Sequence, residues 1–368
     1  MINVTKPFLP PLDEVYSHLA NIWDSSILTN GGPVHQAFER ELGRHLGVEH
    51  LSLYSNGTLA LKAAIKILGL SGEVITTPFS FVATANVLVD CGIKPVFVDI
   101  DPVTFNIDPK KIEDRINANT TGFMPVHVYG IPCAVEEIAA ISARHGLPTI
   151  YDAAHAFGVT VGDKSVLGFG DASALSFHST KVFHTIEGGA LALNRGEHKQ
   201  QSDQYKNFGF TGETSVEYFG INAKMNELQS AVGLVNLRYI GQVYRDRRRV
   251  FELYNENLCD IDGLTITHAA AYSQNFSYYP ILVDGASGIT RDDLYTSLKT
   301  EGINARRYFY PLIPDFEIYK SAGYNSDEFP VAKRVSEQVI CLPVFAGMTE
   351  DQVIKVIDVI KKVFRNGR

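Results

Sequence analysis

The chain has few cysteines, and none of them form a pair at a metal-binding or redox spacing. Only four of its 368 residues are cysteines, and they stand far apart, at Cys91, Cys133, Cys259 and Cys341. A disulfide framework or a structural zinc site needs cysteines at closer spacings. We therefore expect neither, and we expect the reducing cytoplasm as the compartment.

Long apolar runs and basic clusters are also absent. No stretch approaches the ~18–20 apolar residues of a membrane span, and the opening MINVTKPFLPPLDEV has no apolar core of the signal-peptide kind. Lysine and arginine total 33 against 41 acidic residues, a formal net charge of -8. These features predict a protein that binds neither a membrane nor nucleic acid.

The chain does have many apolar residues, arranged as short runs between helical patterns. Hydrophobic residues make up 45%, enough for a large core and two domains. From about residue 30 to 195, runs that are apolar on both faces alternate with helical patterns. This order predicts an α/β domain with a mostly parallel central sheet and helices on both of its faces.

The last third of the chain has a different pattern. Strand-like segments at 278–284 and 303–309 flank a helical segment, and a capping box from Thr349 to Gln352 opens a final amphipathic helix. We predict a large domain over 1–240, including an N-terminal segment 1–30, and a smaller C-terminal α+β domain over 241–368. A helical stretch at 223–255 could bridge the two domains.

Two strands end in residues that could do chemistry. Lys181, in SFHSTKVFHTIEGG, is either a solvated loop lysine or a desolvated amine that condenses with an aldehyde. Asp152 follows the run PTIY, where it could cap a helix. It also lies one βαβ-sized step before Lys181, so the two residues could share a pocket at the ligand-binding end of the sheet.

A glycine turn after another strand could hold an anion. Asn56, Gly57 and Thr58 follow HLSLYS and open a helical pattern, so free backbone N–H groups would point at a ligand. Ser176 could add a hydroxyl to the same anion. The dinucleotide pattern GxGxxG is missing, since the GFG at 168–170 is followed by DAS.

Several histidines raise the alternative of a metal site. Asp152 and His155 are three residues apart, which suits one face of a helix, but no HExxH or Cys/His pairing supports a metal. We therefore predict no metal site. His184, which follows KVF, is most simply a loop residue.

One ligand would account for these candidates together. Phe81 follows a strand, where it is either a core residue or a ring that stacks on a flat ligand. Pyridoxal phosphate (PLP) has an aldehyde for Lys181, a cationic ring nitrogen for Asp152, a flat face for Phe81 and a phosphate for the glycine turn and Ser176.

Nearly end to end, the sequence resembles the sugar aminotransferases of the DegT/DnrJ/EryC1/StrS family. The matching segments include LYSNGTLALKAAI, TTPFSFVATANVLVDCG, MPVHVYGIPC, YDAAHAFG, SFHSTKVFHTIEGGA and GINAKMNELQSAVGL. The resemblance implies the fold-type I architecture of PLP-dependent aminotransferases. It also implies pyridoxal 5'-phosphate as the cofactor and a homodimer with shared active sites.

The same resemblance implies roles for individual residues. Lys181 is similar to the lysine that holds the cofactor covalently, and Asp152 matches the acid that keeps the ring nitrogen protonated. Phe81 matches the stacking aromatic residue, and His155 matches a position beside the ring. The phosphate contacts match Gly57, Thr58, Ser176 and, from the neighbouring subunit, Asn222.

The resemblance also suggests a substrate. TKPFLPPLDE and TKVFHTIEGG are most similar to family members that transfer an amino group from L-glutamate to C4 of a dTDP-4-keto-6-deoxyhexose, for surface polysaccharides such as the lipopolysaccharide O-antigen. The expected substrate contacts are His184, Lys224 and Tyr308. Many relatives carry Asn-Tyr-Arg where this chain has Asn-Ala-Lys at 222–224.

Other functions remain open at this point. Amination at C3, or at C4 of a UDP- or GDP-linked sugar, is an alternative within the family, and a non-catalytic PLP-binding regulator is an alternative of another class. Lys181 argues against the dehydratases of this fold, which lack that lysine. Apolar residues at helical spacing from Met225 predict a helix that starts near Ala223, with Asn222 at its entry.

Overall fold

A computed structural model of the chain describes residues 1–366, in which short strands and helices alternate. No helix within that range is long and apolar enough to cross a membrane. The strands are β1 (Ile2–Asn3), β2 (His50–Tyr54), β3 (Glu73–Thr76), β4 (Lys94–Phe97), β5 (Thr120–Met124), β6 (Ile150–Asp152), β7 (Thr160–Val161), β8 (Lys164–Ser165), β9 (Ala172–Ser176), β10 (Gly189–Leu193), β11 (Leu264–Ile266), β12 (Tyr279–Val283), β13 (Ile303–Asn304) and β14 (Val339–Leu342). The α-helices are α1 (Leu12–Ser25), α2 (Pro33–Leu46), α3 (Gly57–Ile67), α4 (Ala83–Asp90), α5 (Val135–His145), α6 (Gly196–Tyr205), α7 (Glu227–Leu258), α8 (His268–Tyr272), α9 (Arg291–Thr300), α10 (Glu317–Ser321), α11 (Pro330–Gln338) and α12 (Glu350–Asn366).

The central sheet has the strand order β2-β10-β9-β6-β5-β3-β4. Its two ladders, β2-β10-β9-β6 and β4-β3-β5, meet through parallel bridges from Phe123 to Thr149 and from Val126 to Asp152. All of these strands are parallel except β10, which runs antiparallel to both of its neighbours. The predicted mostly parallel sheet is therefore confirmed.

Helices cover both faces of this sheet, as the sequence predicts. On β10, Ala190 and Ala192 pack in a core that includes residues of α2 and α5, whereas Leu191 and Leu193 pack in a core that includes residues of α3 and α4. Successive side chains of a strand point to opposite faces, so both faces are buried. This explains why the strands read as continuous apolar runs.

The C-terminal part is a smaller α+β layer, which also confirms the predicted fold class. Its antiparallel sheet, β11-β12-β14, packs with residues of α9 and α12. The predicted capping box opens α12, since Thr349 N–H donates to Gln352 Oε1 at 3.0 Å and Gln352 N–H donates to Thr349 Oγ1 at 3.3 Å. The strand predicted at 303–309 is shorter than expected, because only β13 (Ile303–Asn304) is a strand in that segment.

The predicted domain boundary at 240/241 falls inside one continuous helix, α7. Ile240 and Val243 of this helix belong to the core of the large layer, and Val250 and Phe251 belong to the core of the small layer. The chain's first strand, β1, pairs in parallel with β13 and so contacts the C-terminal layer. The division into 1–240 and 241–368 stays a prediction.

The predicted start of the helix near Ala223 is wrong, because α7 begins at Glu227. Asn226 caps the helix: its Oδ1 accepts a hydrogen bond from Gln229 N at 2.9 Å, and Gln229 Oε1 accepts one from Asn226 N at 3.3 Å. Ala223 instead lies beside the end of β2, where its carbonyl accepts from Ser55 N at 2.9 Å. The capping box starts the helix four residues later than the start that apolar spacing predicted.

A cluster of charged side chains ties α2 to α6. Glu39 of α2 accepts a hydrogen bond from Lys199 Nζ at 2.9 Å, and Asp203 pairs with Lys199 at 2.6 Å and with Lys206 at 2.7 Å. Burial disfavours the ionised form of Glu39. His35, whose Nε2 lies 3.7 Å from Glu39 Oε2, and the charges of Lys206 and Lys199 outweigh burial and lower the pKa of Glu39 to about 2.

We expect Glu39 to make the fold sensitive to acid. Because its folded pKa lies below the ordinary value of 4.5, its contribution is complete above that value and is lost as the pH falls toward about 2. Lowering the pH from about 6 to about 3 should remove roughly 2 kcal/mol of unfolding free energy through this group. Urea denaturation at both pH values should show that Glu39→Gln loses less unfolding free energy than the wild type. The control Glu41→Gln, which removes a surface pairing with Arg44 on the same helix, should lose as much as the wild type; a wild-type loss in Glu39→Gln would contradict the assignment.

Candidate active site

A cavity of about 320 Å³ opens at the carboxyl ends of β6 and β9. Its wall brings together side chains from the large layer with others from beyond residue 270. Most of the residues singled out in the sequence line it: Gly57, Thr58, Phe81, Asp152, His155, Ser176, Lys181 and Tyr308.

Asp152 is the buried acid of this cavity. It ends β6 and is 6% exposed; its Oδ1 accepts from Ala154 N at 3.1 Å and its Oδ2 from Thr84 Oγ1 at 2.7 Å. Burial raises the pKa of Asp152, against the opposing effects of these two hydrogen bonds and of the Lys181 charge. The helix-cap alternative is wrong, because turns rather than a helix follow at 153–158.

Lys181 lies in the loop between β9 and β10, where its N–H donates to the carbonyl of His178 at 2.9 Å. Burial lowers the pKa of Lys181 to about 8, and the charge of Asp152 offsets this only in part. An ordinary lysine, with a pKa of about 10.4, is almost wholly charged near neutral pH. Lys181 is partly exposed, but it lines the cavity together with Asp152. This position and the lowered pKa together favour a reactive amine over a solvated loop lysine.

The turn between β2 and α3 forms the floor of the cavity. Asn56 caps α3 by accepting from Leu59 N at 2.9 Å, and the first N–H groups of the helix, including those of Gly57 and Thr58, have no intrahelical acceptor. A Cβ at Gly57 would lie 3.0 Å from Ser176 Cβ, and a Cβ at Gly189 would lie 2.6 Å from Gly57 N. Glycine at both positions allows this close approach and leaves a cradle suited to an anion.

An aromatic ring and an imidazole line the cavity. Phe81 is 59% exposed, so the alternative that it is a core residue is wrong. His155 is buried, and its Nδ1 accepts a hydrogen bond from Tyr129 N at 3.2 Å, which places the proton of the neutral ring on Nε2. Burial and the charge of Lys181 hold the pKa of His155 well below its ordinary value, so the ring is neutral.

The chain that carries these cavity residues is similar in sequence to known proteins. A sequence model of the DegT/DnrJ/EryC1/StrS aminotransferase family matches residues 13–361. The chain belongs to the DegT/DnrJ/EryC1/StrS aminotransferase family. The resemblance found in the sequence is thereby confirmed.

Relatives in the DegT/DnrJ/EryC1/StrS family match almost the whole chain. The dTDP-4-amino-4,6-dideoxy-D-glucose transaminase of Shigella dysenteriae is 48% identical over 363 residues, which is 98% of this chain and 99% of the relative. The Escherichia coli protein of the same name is 42% identical over 358 residues, 96% of each chain. The crystal structure of DesI in the presence of its TDP-sugar product has a TM-score of 0.95 and 32% identity, and covers 100% of this chain and 94% of DesI.

One substrate contact that the DegT/DnrJ/EryC1/StrS resemblance suggested, His184, lies away from the cavity. His184 is 3% exposed, and its Nε2 donates to the carbonyl of Phe8 at 2.8 Å while its Nδ1 accepts from Ile186 N at 3.3 Å. Both ring nitrogens are therefore occupied beneath the N-terminal segment. Burial lowers the pKa of His184, which keeps the ring neutral.

Two further predicted residues, Asn222 and Lys224, do not line the cavity of their own chain within residues 1–366. Asn222 is exposed and bridges to Asn207. Lys224 Nζ donates to Asn207 Oδ1 at 2.8 Å and lies 4.8 Å from the centre of the Phe208 ring. The structure of one chain does not bring these two residues to the site.

Sequence reasoning missed several residues that line or support the cavity. Ser80 and Thr84 flank Phe81, and their spacing of four residues was a local signal that could have found them. Tyr278 and Phe309 line the cavity from the C-terminal part of the chain, where nothing in their own segments indicates a ligand.

Proposed function

We propose that the protein is a PLP-dependent transaminase that transfers the amino group of L-glutamate to C4 of a dTDP-4-keto-6-deoxyhexose, forming dTDP-4-amino-4,6-dideoxyglucose. The main support is the 48% identity, over 98% of the chain, to a dTDP-4-amino-4,6-dideoxy-D-glucose transaminase. The cavity agrees with this activity, because it joins an amine of lowered pKa, a buried acid and an anion cradle.

The residues of the cavity fit pyridoxal phosphate. The cradle at Gly57 and Ser176 suits a phosphate, and the open face of Phe81 suits a flat ring. The buried carboxylate of Asp152 suits a cationic ring nitrogen, because a buried charge needs a partner of opposite sign. The cofactor supplies an aldehyde and an electron-accepting ring.

The chain's own residues would bind, orient and transfer protons. Lys181 Nζ takes the proton from the α-carbon of the amino donor and, in the second half-reaction, returns one to C4 of the sugar. Asp152 provides the fixed negative charge for the ring nitrogen. Tyr278, Tyr308 and Phe309 form an aromatic wall of the cavity, which would limit the access of water to the reacting groups.

One assay tests both the reaction and the position of the amine. The purified protein with pyridoxal phosphate should move isotope-labelled nitrogen from glutamate to dTDP-4-keto-6-deoxyglucose, detected by mass spectrometry. NMR of the product should place the nitrogen at C4. An amine at C3, or activity only with a UDP- or GDP-linked sugar, would overturn the substrate assignment. Cofactor binding without amino transfer to any keto sugar would favour the alternative of a non-catalytic PLP-binding regulator.

We also propose that two chains form a homodimer and share their active sites. The hairpin 207–222 places the aromatic residues Phe208, Phe210 and Phe219 at the surface, and Phe219 is fully exposed. An exposed apolar patch of this kind is typical of a surface that another chain covers. Asn222 ends the hairpin, where it could reach the partner's phosphate cradle as the family resemblance implies.

Mixed dimers should reveal a shared site. Chains with Lys181→Ala and chains with Asn222→Ala are each expected to have little transaminase activity alone. Unfolded and refolded together, they should recover about a quarter of wild-type turnover, because half of the random dimers hold one intact site of two. The matched control mixes Lys181→Ala with Asp152→Asn, which lie in the same chain's cavity and should not complement. No recovery in the first mixture would contradict sharing.

The cradle should be sensitive to a single methyl group at Gly189. An added Cβ would lie 2.5 Å from the carbonyl carbon of Asn56, so Gly189→Ala must push the turn out of place. We expect a loss of about 1–3 kcal/mol in unfolding free energy and weaker retention of pyridoxal phosphate, measured by urea denaturation and fluorescence titration. Gly168→Ala is the control, since a Cβ there meets nothing within 4 Å. Equal behaviour of the two variants would show that the cradle tolerates crowding.

We place this activity in the cytoplasm, as the sequence suggested. All four cysteines are free thiols, which suits a reducing compartment. Activity that persists without change in a reducing buffer is the expected result.

A further inference from the structure

A chain of buried hydroxyl groups leads from the cavity to Asp152. Ser80 lines the cavity, and its Oγ lies 2.9 Å from Thr84 Oγ1. Thr84 Oγ1 lies 2.7 Å from Asp152 Oδ2. Thr84 is 0% exposed and Ser80 is 5% exposed, so these hydrogen bonds are shielded from bulk water.

The ionisation of Asp152 decides the direction of this hydroxyl chain. An ionised carboxylate only accepts hydrogen bonds, and a hydroxyl has a single proton to donate. When Asp152 is ionised, Thr84 must donate to it and can therefore only accept from Ser80. A protonated Asp152 has a proton of its own to donate, and Thr84 would then be free to turn toward Ser80.

The local fold makes Thr84 a rigid donor. It lies in the first turn of α4, and its N–H donates to the carbonyl of Phe81 at 3.2 Å. The β-branched side chain has few rotamers in a helix, so the hydroxyl is held in place at small entropic cost. The second donor to the carboxylate, Ala154 N–H, is part of the backbone and is equally fixed.

We propose that Thr84, supported by Ser80, is a positioning residue that holds Asp152 as an oriented anion. The proposal deepens the proposed function and rests on it, because the anion is needed to face the cationic ring nitrogen of the cofactor. Thr84 itself does not line the cavity within the described residues 1–366, so it acts through Asp152.

Other groups around Asp152 do not replace this hydroxyl. Burial raises the pKa of Asp152, and the hydrogen bond from Thr84 is the largest effect that opposes it, ahead of the Ala154 N–H and the Lys181 charge. Burial keeps the neighbouring thiol and imidazoles neutral by raising the pKa of the thiol and lowering those of the rings. These neutral neighbours are Cys133, His127 and His155.

The test follows the titration of Asp152 in the cofactor-free protein. Infrared difference spectroscopy detects the carbonyl band of a protonated carboxyl group, and Asp152→Asn identifies the band of this residue. Thr84→Val keeps the shape of the side chain but removes the hydroxyl, and it should raise the titration midpoint by about 1–2 pH units. Thr84→Ser keeps the hydroxyl and should titrate close to the wild type.

Ser80→Ala provides a milder variant in case Thr84→Val folds poorly. It removes only the support of Thr84 and should raise the midpoint by a smaller amount. An unchanged midpoint in both Thr84→Val and Ser80→Ala would overturn the proposal, as would a Thr84→Ser variant that shifts as far as Thr84→Val. These measurements need neither cofactor nor substrate, whereas failure of the proposed function would appear separately, as a wild-type protein that transfers no amino group.

Discussion

Lys181→Ala is expected to lose amino transfer by roughly 10⁴-fold or more, because one side chain both anchors the cofactor and moves the substrate proton. The fold should survive, since the residue lies in a loop and alanine removes no backbone hydrogen bond. The loss of activity is measured by comparing turnover of Lys181→Ala and the wild type in the nitrogen-transfer assay. Peptide mass spectrometry after borohydride reduction of the wild type should find the cofactor on Lys181.

The pH dependence of cofactor capture provides a second readout for Lys181. Only the neutral amine attacks an aldehyde, so the rate of capture by cofactor-free protein should rise with pH around a midpoint of about 8. A midpoint near 10, the ordinary lysine value, would mean that the side chain is solvated. Lys164→Ala, which changes an exposed lysine of β8, should capture and turn over like the wild type. Cofactor found on any other lysine would refute the assignment.

Asp152→Asn is expected to produce the second largest loss, about 10³-fold in turnover. Asparagine has the same size and can still accept from Ala154 N–H, so the turn after β6 should persist. The fixed negative charge is gone, however, and a preorganised charge aimed at a reacting group commonly contributes 10²–10³-fold or more. Circular dichroism should show an intact fold, and steady-state kinetics should show the loss in kcat.

A second acid on neighbouring strands provides the control for Asp152. Asp171 lies just before β9, where its Oδ2 accepts from Thr149 N at 2.9 Å at the amino ends of β6 and β9, opposite the cavity. Asp171→Asn should therefore affect stability more than turnover. If Asp152→Asn turned over at a near-normal rate, its role would be confined to holding the turn.

The sequence predicted the sheet and the floor of the cavity because both depend on local patterns. A strand buried on both faces must be apolar throughout, as Leu191 and Ala192 show on opposite faces of β10. A strand, a glycine and a helix in direct succession place Gly57 at a helix N-terminus wherever the rest of the chain goes. The same logic located Asp152 at the end of β6, whereas Lys181 lies in the loop that follows β9.

Contacts between distant segments could not be predicted in this way. His184 and Lys181 share one loop, yet Lys181 faces the cavity while His184 turns beneath Phe8, a residue 176 positions away. Tyr278 lines the cavity only because the C-terminal layer folds back over it. Apolar spacing around Met225 includes the buried Met225 and Ala231 but also Leu228, which is 38% exposed. Such spacing does not distinguish a helix from the extended segment before it.

The pairing of β1 with β13 has a consequence for how the chain is made. Asn3 and Asn304 are neighbours although 301 positions separate them, so β1 leaves the ribosome long before the strand with which it pairs. At typical rates of synthesis, the N-terminal strand must wait roughly 15–60 s for its partner strand to appear. We expect nascent chains released before residue 303 to keep residues 2–3 accessible to proteases, and chains that include β13 and the layer around it to protect them.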